Sequence, residues 1–279
     1  MRIHFAKAMN KEYNDDEVHK HFKNEADNHI FDSNVNDFRI VKETSHLLQI
    51  ALPTIGTQFF GFLLFPQTAS LVGRFFGKDY LAAFSLATLS GNMSCLSIII
   101  GTLSASETLM PRSFGNKAYR EVGILALRGF LFCILFLILP IFLLWTMLNS
   151  ILDSFGQDKV AAEIASNWVK IYLFGVPSVV IFRVTQRFLT VQNVVTPCLY
   201  ASSLGCLIIQ PLLLRWFLQS FGFYGSAFAI IITQWSQSIL CIIFVWWKGT
   251  YVKETLPELS WDLLKVNQLI FLIFYLLRL

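Results

Sequence analysis

Charge is what this sequence lacks most. Only 14% of its 279 residues are Asp, Glu, Lys or Arg, against about 25% in a soluble globular domain. A surface so poor in charge could not be solvated as such a domain. Histidine is missing after position 46: His4, His19, His21, His29 and His46 all fall in or at the end of a polar N-terminal segment. That excludes an intramembrane histidine relay and a histidine-based metal site, and the His19–His21 pair reads as part of a solvated segment. Cysteine is scarce too. Cys95, Cys133, Cys198, Cys206 and Cys241 all sit in apolar blocks, which fits small packing residues better than a disulfide framework. No Ser/His/Asp, Cys/His or metal constellation can be assembled, so the chain does not read as an enzyme and no cofactor is expected. The net charge is +4 and the basic residues are dispersed between apolar blocks, which argues against a nucleic-acid partner.

What is present is apolar mass: 55% of the residues are hydrophobic and 27 are Phe. It comes in long uncharged runs, Leu47 to Gly73, Tyr80 to Ser106, Gly129 to Leu152, Phe188 to Leu214 and Trp216 to Trp247. Each exceeds the roughly 20 residues that a helix needs to cross about 30 Å of hydrocarbon. A weaker run, Val160 to Arg187, carries Glu163 and Lys170 seven residues apart, on one helix face. Counted as a span, it should turn that polar stripe into the protein, where the two could pair. A seventh apolar run starts near Val266 and stops at Leu279. The fold class is therefore all-α: an integral membrane bundle of six transmembrane helices plus the start of a seventh, in contact with the lipid bilayer.

The organisation that follows is a polar N-terminal tail at 1–45, a six-helix region at 46–250, a loop at 251–265 and the start of a seventh helix at 266–279. The tail holds nine acidic and seven basic side chains with no sustained periodicity, and reads as mobile. It has no apolar core of the signal-peptide kind. Loops on the tail's side of the membrane hold at least fifteen Lys and Arg, counting Arg183 and Arg187, while the opposite loops hold at most four, Arg74, Lys78, Lys159 and Arg215. The positive-inside rule places the N-terminus in the cytosol of a multi-pass protein of the plasma membrane or an organelle membrane. Pro53, Pro66, Pro140, Pro177, Pro197 and Pro211 lie within spans. Kinked spans suit a transporter, where freed backbone groups line a cavity.

Short motifs run in order along the chain. Ile50-Ala51-Leu52-Pro53 is followed by Gln58; SLVGRFFGKDYLAAFSLA covers Ser70 to Ala87; Ser104 to Gly115 carries Glu107-Thr108-Leu109. Then come Phe155-Gly156-Gln157-Asp158, Val176-Pro177, Val191-Gln192 with Thr196-Pro197, and Gly222 with Gly225-Ser226-Ala227. Together, over roughly residues 47–265, they resemble the multidrug and toxin extrusion (MATE) family, its eukaryotic branch above all. The resemblance implies two six-helix lobes around a substrate cavity, of which this chain supplies the first lobe and the beginning of the seventh helix. It implies export of organic cations or xenobiotics by proton-coupled antiport, with a second lobe or another subunit as partner. The family's essential glutamate is expected in the seventh helix. A half-transporter of this kind could be a gene fragment, a splice form or a mispredicted gene. Glu107 stands where the family has Asp, Arg112 where it has Gln, and the fifth span has Cys206, Ile209, Gln210 and Pro211 in place of the usual Asn residues.

Gln58, Phe62, Asn92 and Gln210 are the candidate residues of the substrate cavity, and Phe62 should share a helix face with Gln58. A buried interhelical hydrogen bond is the competing reading for Gln210, Gln234 and Gln237. Glu107 is a weak candidate for proton coupling; a structural ion pair with Arg112 or Lys117, or a helix cap, is the stronger one. Two other functions compete: a non-transporting fragment that associates with a full-length partner, and a seven-helix receptor. The receptor class usually carries an acidic-Arg-aromatic triplet, an Asn-Pro-x-x-Tyr motif and an outer disulfide, and none is present in the sequence.

Overall fold

The structure, a computed structural model, describes residues 15–134 and 138–247. The expected loop at 251–265 and the seventh run at 266–279 lie outside the described residues. Among the described residues every regular element is helical, and the chain divides into two units, Met1–Ala51 and Leu52–Leu279. Helix α1 runs Asp15–Phe76. The segment expected to lack regular structure is therefore helical from Asp15. No proline or glycine precedes Pro53, so no strong breaker interrupts it.

The second unit is built from long helices with irregular joints. Helix α2 (Lys78–Gly91) continues through a π-type turn at Asn92–Leu96 into α3 (Ser97–Gly115). Then follow α4 (Tyr119–Phe132), α5 (Ile138–Thr146) and α6 (Leu148–Ser154). Helix α7 (Lys159–Tyr172) passes through a tight 3₁₀ turn at Leu173–Gly175 into α8 (Val176–Val191). Helix α9 (Thr196–Leu204) passes through a second π-type turn at Gly205–Ile209 into α10 (Gln210–Phe221), and α11 (Gly225–Trp247) follows.

The prolines explain several joints. Pro177, Pro197 and Pro211 each sit in the first two positions of a helical segment; Pro197 follows a turn, so its missing N–H has no partner to lose, while Pro177 and Pro211 remove a donor next to the 3₁₀ and π-type turns. Pro177 and Pro211 thus follow the 3₁₀ and the second π-type turn, and among the described residues Pro53, Pro66 and Pro111 lie well inside a continuous helix.

Among the described residues four stretches are long and apolar enough to cross a membrane: Lys42–Phe76, Lys78–Gly115, Lys159–Val191 and Thr196–Val245. The last contains two helices that run back along each other. Gln237 bonds to the Ser202 carbonyl, Thr233 to Gln210, and Gly225 abuts the Phe217 backbone. One partner's number climbs as the other's falls, which is the signature of an antiparallel hairpin. Its corner is Gly222, at φ +63°, a conformation that glycine tolerates and most side chains do not. The expected third span, Gly129–Leu152, is described in part, by the end of α4 and by α5 and α6, with a bend at Met147 between the last two.

The core sits among α2, α7, α10 and α11. Trp168 stacks on Tyr172 (ring centroids 5.3 Å apart) and meets Phe84 edge-on at 5.4 Å. A buried indole N–H needs an acceptor. Trp168 Nε1 donates to Ser226 Oγ at 2.8 Å, and Trp145 Nε1 to Ser94 Oγ at 2.8 Å. Both tryptophans are almost fully buried, so each joins helices by packing and by a directed bond at once. Helix α7 turns Ala162, Ala165, Ser166, Trp168, Val169 and Tyr172 inward. Glu163 and Lys170 are exposed and form no ion pair among the described residues. The expected inward polar stripe is therefore corrected: small and aromatic residues already fill the inner face of this helix.

Candidate functional site

Gln58 lies near the middle of the uncharged Leu47–Gly73 stretch. Helix α1 leaves it exposed, together with Leu52, Ile55, Phe59 and Phe62; Phe62 is 69% exposed. The spacing of four puts Gln58 and Phe62 on one side of the helix. Across from them, Arg183 of α8 donates from Nη1 to Gln58 Oε1 at 2.5 Å and, at 3.5 Å, to Gln186 Oε1. One turn on, Arg187 Nη2 pairs with Glu107 Oε1 of α3 at 2.8 Å. The site thus gathers side chains from α1, α3 and α8.

Two sequence expectations change here. Arg183 and Arg187 were counted as loop residues, but the helix continues to Val191 and ends at Asn193, which takes φ +60°. No proline or glycine separates Pro177 from Asn193. The signal that could have placed them is their spacing of four inside an unbroken helical stretch. The carboxylate of Glu107 is in an ion pair, as the structural reading held, yet its partner is Arg187 rather than Arg112 or Lys117. Charges five and ten residues on along the same chain are outcompeted by a guanidinium presented by the neighbouring helix.

The remaining candidates are not gathered at this cluster. Asn92 is exposed and opens the π-type turn. It lines a small hollow of about 10 Å³ with Cys95, Trp168 and Tyr172, room for about one water molecule. Gln210 is fully buried. Its Nε2 donates to Thr68 Oγ1 at 3.0 Å and its Oε1 accepts from Thr233 Oγ1 at 2.7 Å. Both ends of the amide are engaged, so Gln210 ties α1 to α11 and presents nothing to a cavity. Gln234 likewise donates to the Tyr172 hydroxyl at 2.8 Å, and Gln237 to the Ser202 carbonyl at 3.4 Å. The interhelical reading holds for all three.

A second concavity, of about 360 Å³, opens between α4, α8 and α11, lined by Ala126, Phe130, Val184, Phe188 and Ile242 among others. It is almost wholly apolar and lies on the side of α8 away from Arg183 and Arg187.

Comparison with known proteins places these features in a family. Residues 53–214, more than half of the chain, match the MatE family. An uncharacterized transporter of Schizosaccharomyces pombe is 29% identical over 82% of this chain and 45% of its own length. Protein DETOXIFICATION 17 of Arabidopsis thaliana is 30% identical over 82% of this chain and 50% of its own length. The crystal structure of the eukaryotic MATE transporter AtDTX14 superposes with a TM-score of 0.78 at 22% identity, over 85% of this chain and 52% of that one. The chain thus spans about half the length of the relatives it matches. The long apolar helices, their order and the half-length match lead to one assignment: this chain is a multi-pass membrane protein of the MatE family, a family of multidrug and toxin extrusion transporters and not of enzymes.

Proposed function

We propose that this chain forms one lobe of a secondary active exporter of xenobiotics, organic cations among them, driven by proton antiport. Six crossings would make up the lobe at 46–250: the four long stretches, with Thr196–Val245 counted as a hairpin of two, plus the α4–α6 segment. The 1–45 tail and the 251–265 loop would lie in the cytosol, and 266–279 would begin the seventh helix. The observation that carries this reading is the face of α1. It is the least buried of the long apolar stretches, and it exposes Gln58 beside Phe59 and Phe62. A polar amide among aromatic rings suits amphipathic organic molecules, and a second lobe opposite would close the cavity around it.

Alternating access requires two bundles rocking about a site between them, so the lone chain should not carry out antiport. Glu107, held by Arg187, acts in this reading as a structural partner, and the coupling carboxylate belongs to the second lobe. The test is the purified chain in proteoliposomes with an imposed pH gradient and ethidium as the cation, alone and with a second lobe supplied from a full-length relative. Gradient-dependent, saturable uptake only with both lobes supports the proposal. Uptake by the chain alone would sink it and would make Glu107 the first residue to substitute.

A further inference from the structure

The polar cluster of this lobe has an unbalanced charge. Arg183 and Arg187 bring two guanidinium groups to it and Glu107 brings one carboxylate, already taken by Arg187. Arg183 bonds only to amide oxygens, those of Gln58 and Gln186, and among the described residues it has no carboxylate partner. Arg187, Tyr172 and Glu107 are the groups within its electrostatic reach. Arg187 adds an unsatisfied donor: its Nη1 is buried and has no hydrogen-bond partner.

Two neutral acceptors can align a guanidinium but cannot neutralise it. In a membrane span an uncompensated cation is costly, and such a group marks a functional site whose partner should be identifiable. A lone structural tether between α1 and α8 would need only a neutral donor, and any long amide would serve. A guanidinium presents a planar fork of donors shaped for an oxyanion. The Arg183–Gln58 bond also lies on the exposed side of the lobe, so a ligand can reach it, and Phe59 and Phe62 flank it with apolar surface.

We infer that Arg183, with Arg187 Nη1 beside it and Gln58 orienting it, binds an oxyanionic group, a carboxylate, sulfonate or phosphate attached to an apolar body. The inference rests on the exporter reading and narrows it: this lobe selects anionic or zwitterionic molecules, and any pure cation must be recognised elsewhere. The same chemistry could be supplied by a transported organic anion or by an acidic lipid headgroup.

The experiment uses the full chain in phosphatidylcholine nanodiscs, with carboxyfluorescein binding followed by fluorescence anisotropy. Saturable binding is expected. Arg183→Gln should weaken it about ten-fold or more, the usual scale for a hydrogen bond to a charged group. Arg183→Lys should keep part of it, and Lys170→Gln, on an exposed face away from the cluster, should leave it unchanged. Wild-type protein gives a check free of mutation: benzoate should displace the probe and tetraphenylphosphonium should not. Repeating the titration with one third phosphatidylglycerol separates the sources. A weakened apparent affinity identifies the headgroup as the competing ligand, an unchanged one identifies a soluble organic anion, and both support the oxyanion site. Equal binding by wild type and Arg183→Gln, no saturable binding by wild type, or displacement by the cation would each overturn it. Failure of ethidium uptake in the two-lobe assay would instead remove the exporter reading, so the two failures are told apart.

Discussion

At the level of single residues, the buried amides and hydroxyls show how little a polar group in this bundle needs to stabilise it. The Thr68 and Thr233 hydroxyls that meet Gln210 also reach back to the carbonyls of Leu64 and Ala229, at 2.8 and 2.9 Å. Gln210→Leu keeps most of the volume and leaves both hydroxyls a backbone acceptor, so it should cost about 1 kcal/mol or less, the scale of an interhelical hydrogen bond within a membrane. Gln210→Ala empties the site and should cost about 2–4 kcal/mol, as large-to-small changes in a packed core do. Reversible unfolding in mixed detergent micelles reads both. A loss for the leucine variant as large as that for the alanine variant would show that the amide, and not the packing, holds α1 to α11. Gln58 behaves differently because it is exposed: Gln58→Ala should leave expression unchanged and lower ligand affinity, and lost expression with unchanged affinity would assign it a packing role.

At the level of helices, hydropathy alone made the first two long apolar stretches legible, since an uncharged run of more than 20 residues has few ways to satisfy its backbone in lipid; the runs Phe188–Leu214 and Trp216–Trp247 located the α9–α11 hairpin but misplaced its ends, because the chain turns at 192–195 and at Gly222. The fourth span was legible in extent and misread in orientation. Glu163 and Lys170 drew attention because they carry charge, while the face that packs is marked only by Ala162, Ala165 and Trp168. The arginines of α8 were misplaced for the converse reason: a charge near the end of an apolar run looks like a loop, and only the neighbouring helices, with Gln58 and Glu107, show that it is held inside. The hairpin of α9–α11 depends on a feature that no hydropathy sum registers. A methyl group on Gly225 would fall on the carbonyl of Phe217, a backbone atom that cannot turn aside. Gly225→Ala should therefore separate the hairpin and give aggregated or degraded protein, whereas Gly61→Ala, with nothing within 4 Å of the added carbon, should be neutral. Size-exclusion profiles of the two variants decide it, and a monodisperse Gly225→Ala protein of normal yield would contradict the proposed close approach.

For the whole molecule, orientation in the membrane is the property that charge controls and packing does not. Taking Arg183 and Arg187 out of the loops leaves at least thirteen Lys and Arg on the side of the N-terminus against at most four on the other. The asymmetry survives the correction because its bulk comes from the N-terminal segment and from Lys248, Lys253 and Lys265. The positive-inside rule still predicts a cytosolic N-terminus. With six crossings, residues 251–265 share that side, and Lys78, at the start of α2, faces the opposite one. The five native cysteines are buried, so they add little background to labelling with an impermeant thiol reagent. In sealed cells, single cysteines introduced at Asn10 and Pro257 should stay unlabelled until the membrane is permeabilised, and one at Lys78 should label at once. Labelling at Asn10 in intact cells would invert the orientation, while labelling at Pro257 alone would mean an odd number of crossings. The α4–α6 segment, bent at Met147 and not among the four long apolar stretches of the described residues, would then be the first to examine for a failed crossing.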